Sequence, residues 1–133
     1  MTGYVATRWY RAPELLLGTS IYGCEIDIWA VGCIMAEMAD GDPIFSGDTE
    51  IEQIYLITTL LGDLPDNLKN LFLANPRFLS AKINEGKGKA LSLLSKKYAH
   101  KLGVEGVDLL WRLLELDPAK RLTPSKALMH PFF

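Results

Sequence analysis

The sequence has no excess of charge of either sign. Its 133 residues carry 14 Lys and Arg against 16 Asp and Glu, a net charge of −2. A nucleic-acid surface or an anionic-membrane surface needs a basic surplus, so neither nucleic acid nor membrane is expected as a partner. Long hydrophobic runs are also missing, and none approaches the roughly 20 apolar residues that span a bilayer. The start, Met1-Thr2-Gly3-Tyr4, has no basic flank and no apolar core, so no secretory signal is read there. Cysteine is scarce. Cys24 and Cys33 match no metal or redox spacing and have no histidine nearby. Both are expected to be buried free thiols, which implies an intracellular, reducing compartment, cytoplasm and/or nucleus. Internal repeats, low-complexity tracts and convincing strand alternation are absent as well.

What is present is a globular composition, 49% hydrophobic and 23% charged, with apolar residues at helical spacing. From about Glu25 to Asp40 they cover every side of the wheel, which predicts a helix buried all round. Gly32 inside it costs roughly 1 kcal/mol of helix propensity, which predicts close packing of another segment there. Gly41 should end this helix and Pro43 prevent its resumption. Asp48 or Thr49 should cap a second helix running to about Leu61, stopped by Gly62. The pattern weakens from Asp63 to Gly103, apart from a short helix around Asp66 to Ala74 and an exposed loop at Asn84 to Lys89. Val107 to Leu116 predicts a further helix, closed by Asp117-Pro118. Thr123 should cap the last one, with Pro124 at its first position.

Several short strings follow one another in order along the chain. Tyr4-Val5-Ala6-Thr7-Arg8-Trp9-Tyr10-Arg11 leads into Ala12-Pro13-Glu14. Asp27-Ile28-Trp29-Ala30-Val31-Gly32, Pro43-Ile44-Phe45-Ser46-Gly47, Asp117-Pro118 with Arg121, and His130-Pro131-Phe132-Phe133 follow. Each is weak alone; together they resemble the C-terminal lobe of a eukaryotic protein kinase, whose signature set includes Ala-Pro-Glu. Arg8-Trp9-Tyr10-Arg11 is similar to the group that holds MAP kinases and cyclin-dependent kinases. Thr2-Gly3-Tyr4 resembles the Thr-x-Tyr motif of that group's activation loop, with Gly where an acidic residue is usual. Gly62-Asp63-Leu64-Pro65 and Asn75-Pro76-Arg77-Phe78 look like the cyclin-dependent-kinase-like family.

The resemblance implies a mainly α fold, the helical C-lobe of a truncated kinase domain, with an activation segment at 1–14, a helical lobe at 15–133 and a group-specific insert at about 62–103. It implies phosphorylation at Thr2 and Tyr4, with Arg8 and Arg11 gripping the phosphate through bidentate forks. Val5, Ala6, Thr7, Trp9 and Tyr10 would form the substrate pocket, commonly filled in this group by a proline after the phosphoacceptor. Glu14 and Arg121 would form a buried ion pair, and Asp27 would support the catalytic loop. The partners implied are protein substrates and an upstream activating kinase.

Kinase chemistry needs a glycine-rich phosphate loop, a strand lysine, a His-Arg-Asp loop and a metal-binding Asp-Phe-Gly. None of these strings occurs in the 133 residues. Gly86-Lys87-Gly88 lacks the later glycine, and neither His100 nor His130 opens a catalytic loop. In the family these parts lie upstream of the Thr-x-Tyr motif, and Met1 fits an internal methionine just before it. The expectation is therefore that no catalytic or metal-binding residue lies in this chain. ATP and Mg²⁺ would serve the full-length kinase and would not bind here. Two classes of function stay open: part of an active Ser/Thr kinase, or a non-catalytic module that binds substrates or partners.

Overall fold

The computed structural model describes residues 8–19, 23–78 and 90–133. Among them the chain is helical and contains no strand. The elements are α1 (Pro13–Leu16), α2 (Cys24–Asp40), α3 (Glu50–Leu61), α4 (Asp66–Ala74), a 3₁₀ turn (Pro76–Phe78), α5 (Ala90–Leu113) and α6 (Pro124–Leu128).

The predicted helix ends at Gly41, Gly62, Thr49 and Thr123 are set by the residues named for them, whereas α5 ends at Leu113, short of the Asp117-Pro118 expected to close it. Gly41 adopts φ 85°, a left-handed conformation that glycine enters without a Cβ clash, and its N–H donates to Glu37 O at 2.7 Å. Thr49 caps α3, its hydroxyl accepting from the Glu52 N–H at 3.0 Å. Thr123 caps α6 in the same way, with Pro124 in the first turn.

Helix α2 is the axis of the molecule and packs chiefly on α5. Trp29, Cys33 and Ala36 lie on its buried face, and Trp29 stacks on Phe45 with ring centroids 6.0 Å apart. Gly32 is required where the helices touch. A Cβ there would lie 2.7 Å from Leu114 Cδ2 and 3.1 Å from Leu113 Cβ. Ile54, Ile57 and Leu61 of α3, Leu68 and Phe72 of α4, and Leu94, Tyr98 and Leu110 of α5 complete the main core.

Three expectations are corrected. First, α2 is not buried all round: Val31 is 50%, Ile34 49% and Met38 82% exposed. An all-apolar wheel makes every face fit for burial, but coverage needs a neighbour. Here α5, α6 and the last residues reach only the rim of that face. They leave an apolar groove of about 570 Å³ lined by Val31, Ile34, Met38, Leu109, Phe132 and Phe133, among others. Second, only Cys33 of the two free thiols is buried; Cys24, in the first turn of α2, is exposed. Third, a helix precedes Gly103 where a weak pattern was read. α5 runs through Gly103, whose φ of 73° and ψ of 177° break it into two helical pieces. The loop expected at 84–89 lies outside the described residues.

Candidate functional site

The segment from Arg8 to Glu14 carries most of the candidate residues, and three sets of bonds hold it. At its C-terminal end the structure brings Glu14 and Arg121 together across 107 positions. Arg121 Nη1 donates to Glu14 Oε2 at 2.8 Å and Nη2 to Glu14 Oε1 at 3.0 Å. The same guanidinium donates to the carbonyls of Glu25 (2.7 Å), Glu115 (2.8 Å) and Leu116 (3.4 Å) and lies over the Trp29 ring, 5.2 Å from its centroid. Both side chains are buried, so each charge depends on the other for solvation. Glu14 reaches this position because Pro13 starts α1 and turns the chain inward.

At the other end, Arg8 is buried and its Nη1 donates to Asp48 O at 2.7 Å. The Trp9 indole N–H donates to Gly47 O at 3.0 Å. Gln53, fully buried in the first half of α3, accepts from the Gly47 N–H at 2.7 Å. Its amide nitrogen donates to Phe45 O at 3.0 Å and to Trp9 O at 3.4 Å. Between the two ends, the Tyr10 hydroxyl donates to Glu37 Oε1 of α2. That bond, and then burial, pushes the Tyr10 pKa up to about 12, so the phenol stays protonated. Arg11 is half-buried, and its backbone N–H donates to Arg8 O at 3.2 Å.

Beside Arg8 lies a cleft of about 410 Å³ lined by Arg8, Asp48, Thr49, Glu50, Ile51, Arg77 and Phe78. Arg77 Nη1 donates to Glu50 Oε2 at 2.9 Å on its exposed side.

Thr2, Tyr4, Val5, Ala6 and Thr7 lie outside the described residues. Asp27 is exposed in the first turn of α2, where its charge suits the positive end of the helix dipole. A lone acid there therefore bears none of the burial cost its apolar neighbours suggest. Among the described residues, no group of three or more His, Cys, Asp or Glu side chains could hold a metal ion. No helix among them is long and apolar enough to cross a membrane.

Sequence reasoning missed Glu37 and Gln53. Glu37 is the one acid of α2 away from its first turn and its last residue, set among Met35, Ala36, Met38 and Ala39, and that setting is the available signal. Gln53 offers no such signal, because a polar residue on a helix whose apolar positions predict the buried face carries no mark of burial. A further group gathers near the end of the chain. Asp108 Oδ2 accepts from Arg112 Nε at 2.8 Å and from His130 Nε2 at 2.7 Å. His130 Nδ1 accepts from the Phe132 N–H at 3.0 Å, which places the ring proton on Nε2. The bond from Arg112, then that from His130, holds the Asp108 carboxyl below its ordinary value.

All 133 residues match the protein kinase domain family. The chain is 44% identical over 135 residues to the cyclin-dependent kinase-like 5 of Homo sapiens, covering 99% of this chain and 13% of that protein. It is 45% identical over 133 residues to the mitogen-activated protein kinase HOG1 of Cryphonectria parasitica, covering 99% of this chain and 36% of that one. A chain in a solved structure of the CAK complex from Chaetomium thermophilum, bound to ATP-gamma-S, superposes with a TM-score of 0.79 at 38% identity. That likeness covers 94% of this chain and 38% of the solved one. The chain thus spans well under half the length of each of these relatives.

Proposed function

The chain belongs to the protein kinase domain family, and on that premise we propose that it is the substrate-facing helical part of a Ser/Thr protein kinase. The reaction is transfer of the ATP γ-phosphate to a protein Ser or Thr, in sites where proline follows the phosphoacceptor. The observation that carries this reading is the double anchoring of residues 8–14. Glu14 is fixed through Arg121 at one end, and Trp9 through Gly47 and Gln53 at the other. A segment so restrained can hold a pocket in one shape, and positioning is most of what a kinase supplies.

Each residue then has a role. Val5, Ala6, Thr7, Trp9 and Tyr10 shape the substrate pocket. Thr2 and Tyr4 receive phosphate from an upstream activating kinase. Arg11 is the more accessible of the two arginines, and it grips the Tyr4 phosphate with Arg8, whose Nη1 is already shared with Asp48. Asp27 supports the catalytic loop of the intact domain. ATP and Mg²⁺ would serve the intact kinase. The compartment is intracellular.

The test is a transfer assay on the native gene product with three peptides, Ser-Pro, Ser-Ala and Tyr-Pro. The expected result is Mg²⁺-dependent phosphorylation of the Ser-Pro peptide above the other two, raised by prior phosphorylation of Tyr4 and reduced by Tyr4→Phe. Equal use of Ser-Pro and Ser-Ala would remove the proline preference. Binding of the Ser-Pro peptide with no transfer would favour the non-catalytic module. The 133-residue chain by itself is expected to transfer no phosphate.

A further inference from the structure

Gln53 has an unusual position for a polar side chain: it is fully buried, yet both atoms of its amide head are engaged. The oxygen faces the Gly47 N–H, and the nitrogen faces the carbonyls of Phe45 and Trp9. Those partners fix the amide orientation, since an N–H needs an acceptor and two carbonyls need donors. The Trp9 indole N–H, bonded to Gly47 O, closes the set into a circuit. Trp9 donates to Gly47, Gly47 donates to Gln53, and Gln53 donates back to Trp9.

The circuit leaves little tolerance. A Cβ on Gly47 would lie 2.7 Å from both the Gln53 backbone nitrogen and Oε1, so only glycine lets the two backbones approach this closely. A carboxylate at position 53 would set a second oxygen against two carbonyls. An apolar side chain would leave the Gly47 N–H and both carbonyls without their partner.

We propose that Gln53 is a positioning residue for substrate recognition, acting through Trp9; this rests on the reading of Trp9 and Tyr10 as substrate-pocket residues. Gln53 need not touch the substrate. It holds the Trp9 carbonyl while Gly47 holds the Trp9 indole, so backbone and ring are fixed together. A pocket wall made by Trp9 and Tyr10 inherits its position from that fixed point. Loosening it should impair capture of the peptide more than the chemical step.

The experiment uses the native gene product with Gln53→Leu, Gln53→Met and Trp9→Phe, alone and combined. Steady-state constants are measured for a Ser-Pro peptide and for ATP, and peptide Kd by fluorescence anisotropy. Expected for Gln53→Leu is a rise of about tenfold in peptide KM and Kd, with kcat within about twofold and the KM for ATP unchanged. In the Trp9→Phe background the circuit is already open, so the same change should cost under about threefold. Equal loss in kcat and both KM values, additive effects with Trp9→Phe, or failure of all Gln53 variants to fold would assign a purely structural role and overturn the proposal. A wild type that binds the peptide without transferring phosphate overturns the kinase reading, and Kd then still decides on Gln53. A wild type that does neither overturns both.

Discussion

A guanidinium carries five N–H donors in a fixed plane, and in Arg121 each meets an oxygen: two on Glu14 and one each on Glu25, Glu115 and Leu116. Lysine offers three donors from one point and cannot reproduce that fork. Arg121→Lys should therefore destabilise the fold, and Arg121→Ala should cost about 3–5 kcal/mol by leaving Glu14 buried without its counter-charge. Urea denaturation measures both; a loss under about 1 kcal/mol for Arg121→Ala would show that water reaches Glu14. The cysteines give a second residue-scale prediction. Burial pushes the Cys33 thiol up to about 12, while Cys24 is exposed. At pH 8 a thiol reagent should modify Cys24 quickly and Cys33 only on unfolding, as mass spectrometry of the labelled peptides would show. A third concerns acid. The Asp108 pKa is lowered in the folded state from the ordinary 3.8. A carboxyl so depressed contributes stability that is present above 3.8 and lost as pH falls through its folded value. The chain should lose stability below about pH 4, and Asp108→Asn should flatten that part of the profile; equal acid slopes in both proteins would refute it. Residue by residue, Glu14 and Arg121 are legible in the sequence because they stand in strings that resemble those of the kinase family. Gln53 is hidden there because a polar side chain becomes a core member only through partners that the fold supplies.

At the scale of the element, helix ends marked by a capping hydroxyl or a glycine are readable and helix surroundings are not. Gly41, Gly62, Thr49 and Thr123 act through their own backbone freedom or a hydroxyl within three residues, which is local chemistry. The first piece of α5 was missed for a different reason. Its buried residues Ala90, Leu94 and Tyr98 keep a spacing of four, but the exposed Leu91 and Leu93 blur the stripe. Gly32 was read as a packing point, and its Cβ position lies against Leu113 and Leu114. Gly32→Val should then overpack the α2–α5 contact and cost about 1–3 kcal/mol. Denaturation of that variant, compared with Leu114→Ala in the same background, measures it. If shortening Leu114 does not recover part of the loss, the clash is not where the structure puts it.

For the whole molecule, the exposed face of α2 matters most. Val31, Ile34 and Met38 line an apolar groove alongside Phe132 and Phe133. Surface of this kind promotes association. The 133-residue chain in isolation should scatter light at concentrations where Ile34→Glu with Met38→Glu does not. Those substitutions should cost little stability, because both side chains already meet solvent. A wild-type chain that stays monomeric in sedimentation would argue against the groove as a sticking surface.

The bond between Glu14 and Arg121 also has a place in time. The two residues are 107 positions apart, and a ribosome adds about 5–20 residues per second. Glu14 therefore exists for roughly 5–20 s before its partner has been synthesised. During that interval the segment from Arg8 to Glu14 has no route to its final place, however well its local turn is formed. Molecular chaperones and proteases meet it in that state on every round of translation. Nascent chains stalled before Arg121 should be cleaved within this segment, and chains extended well past it should resist, which makes Arg121 a latch that synthesis must reach.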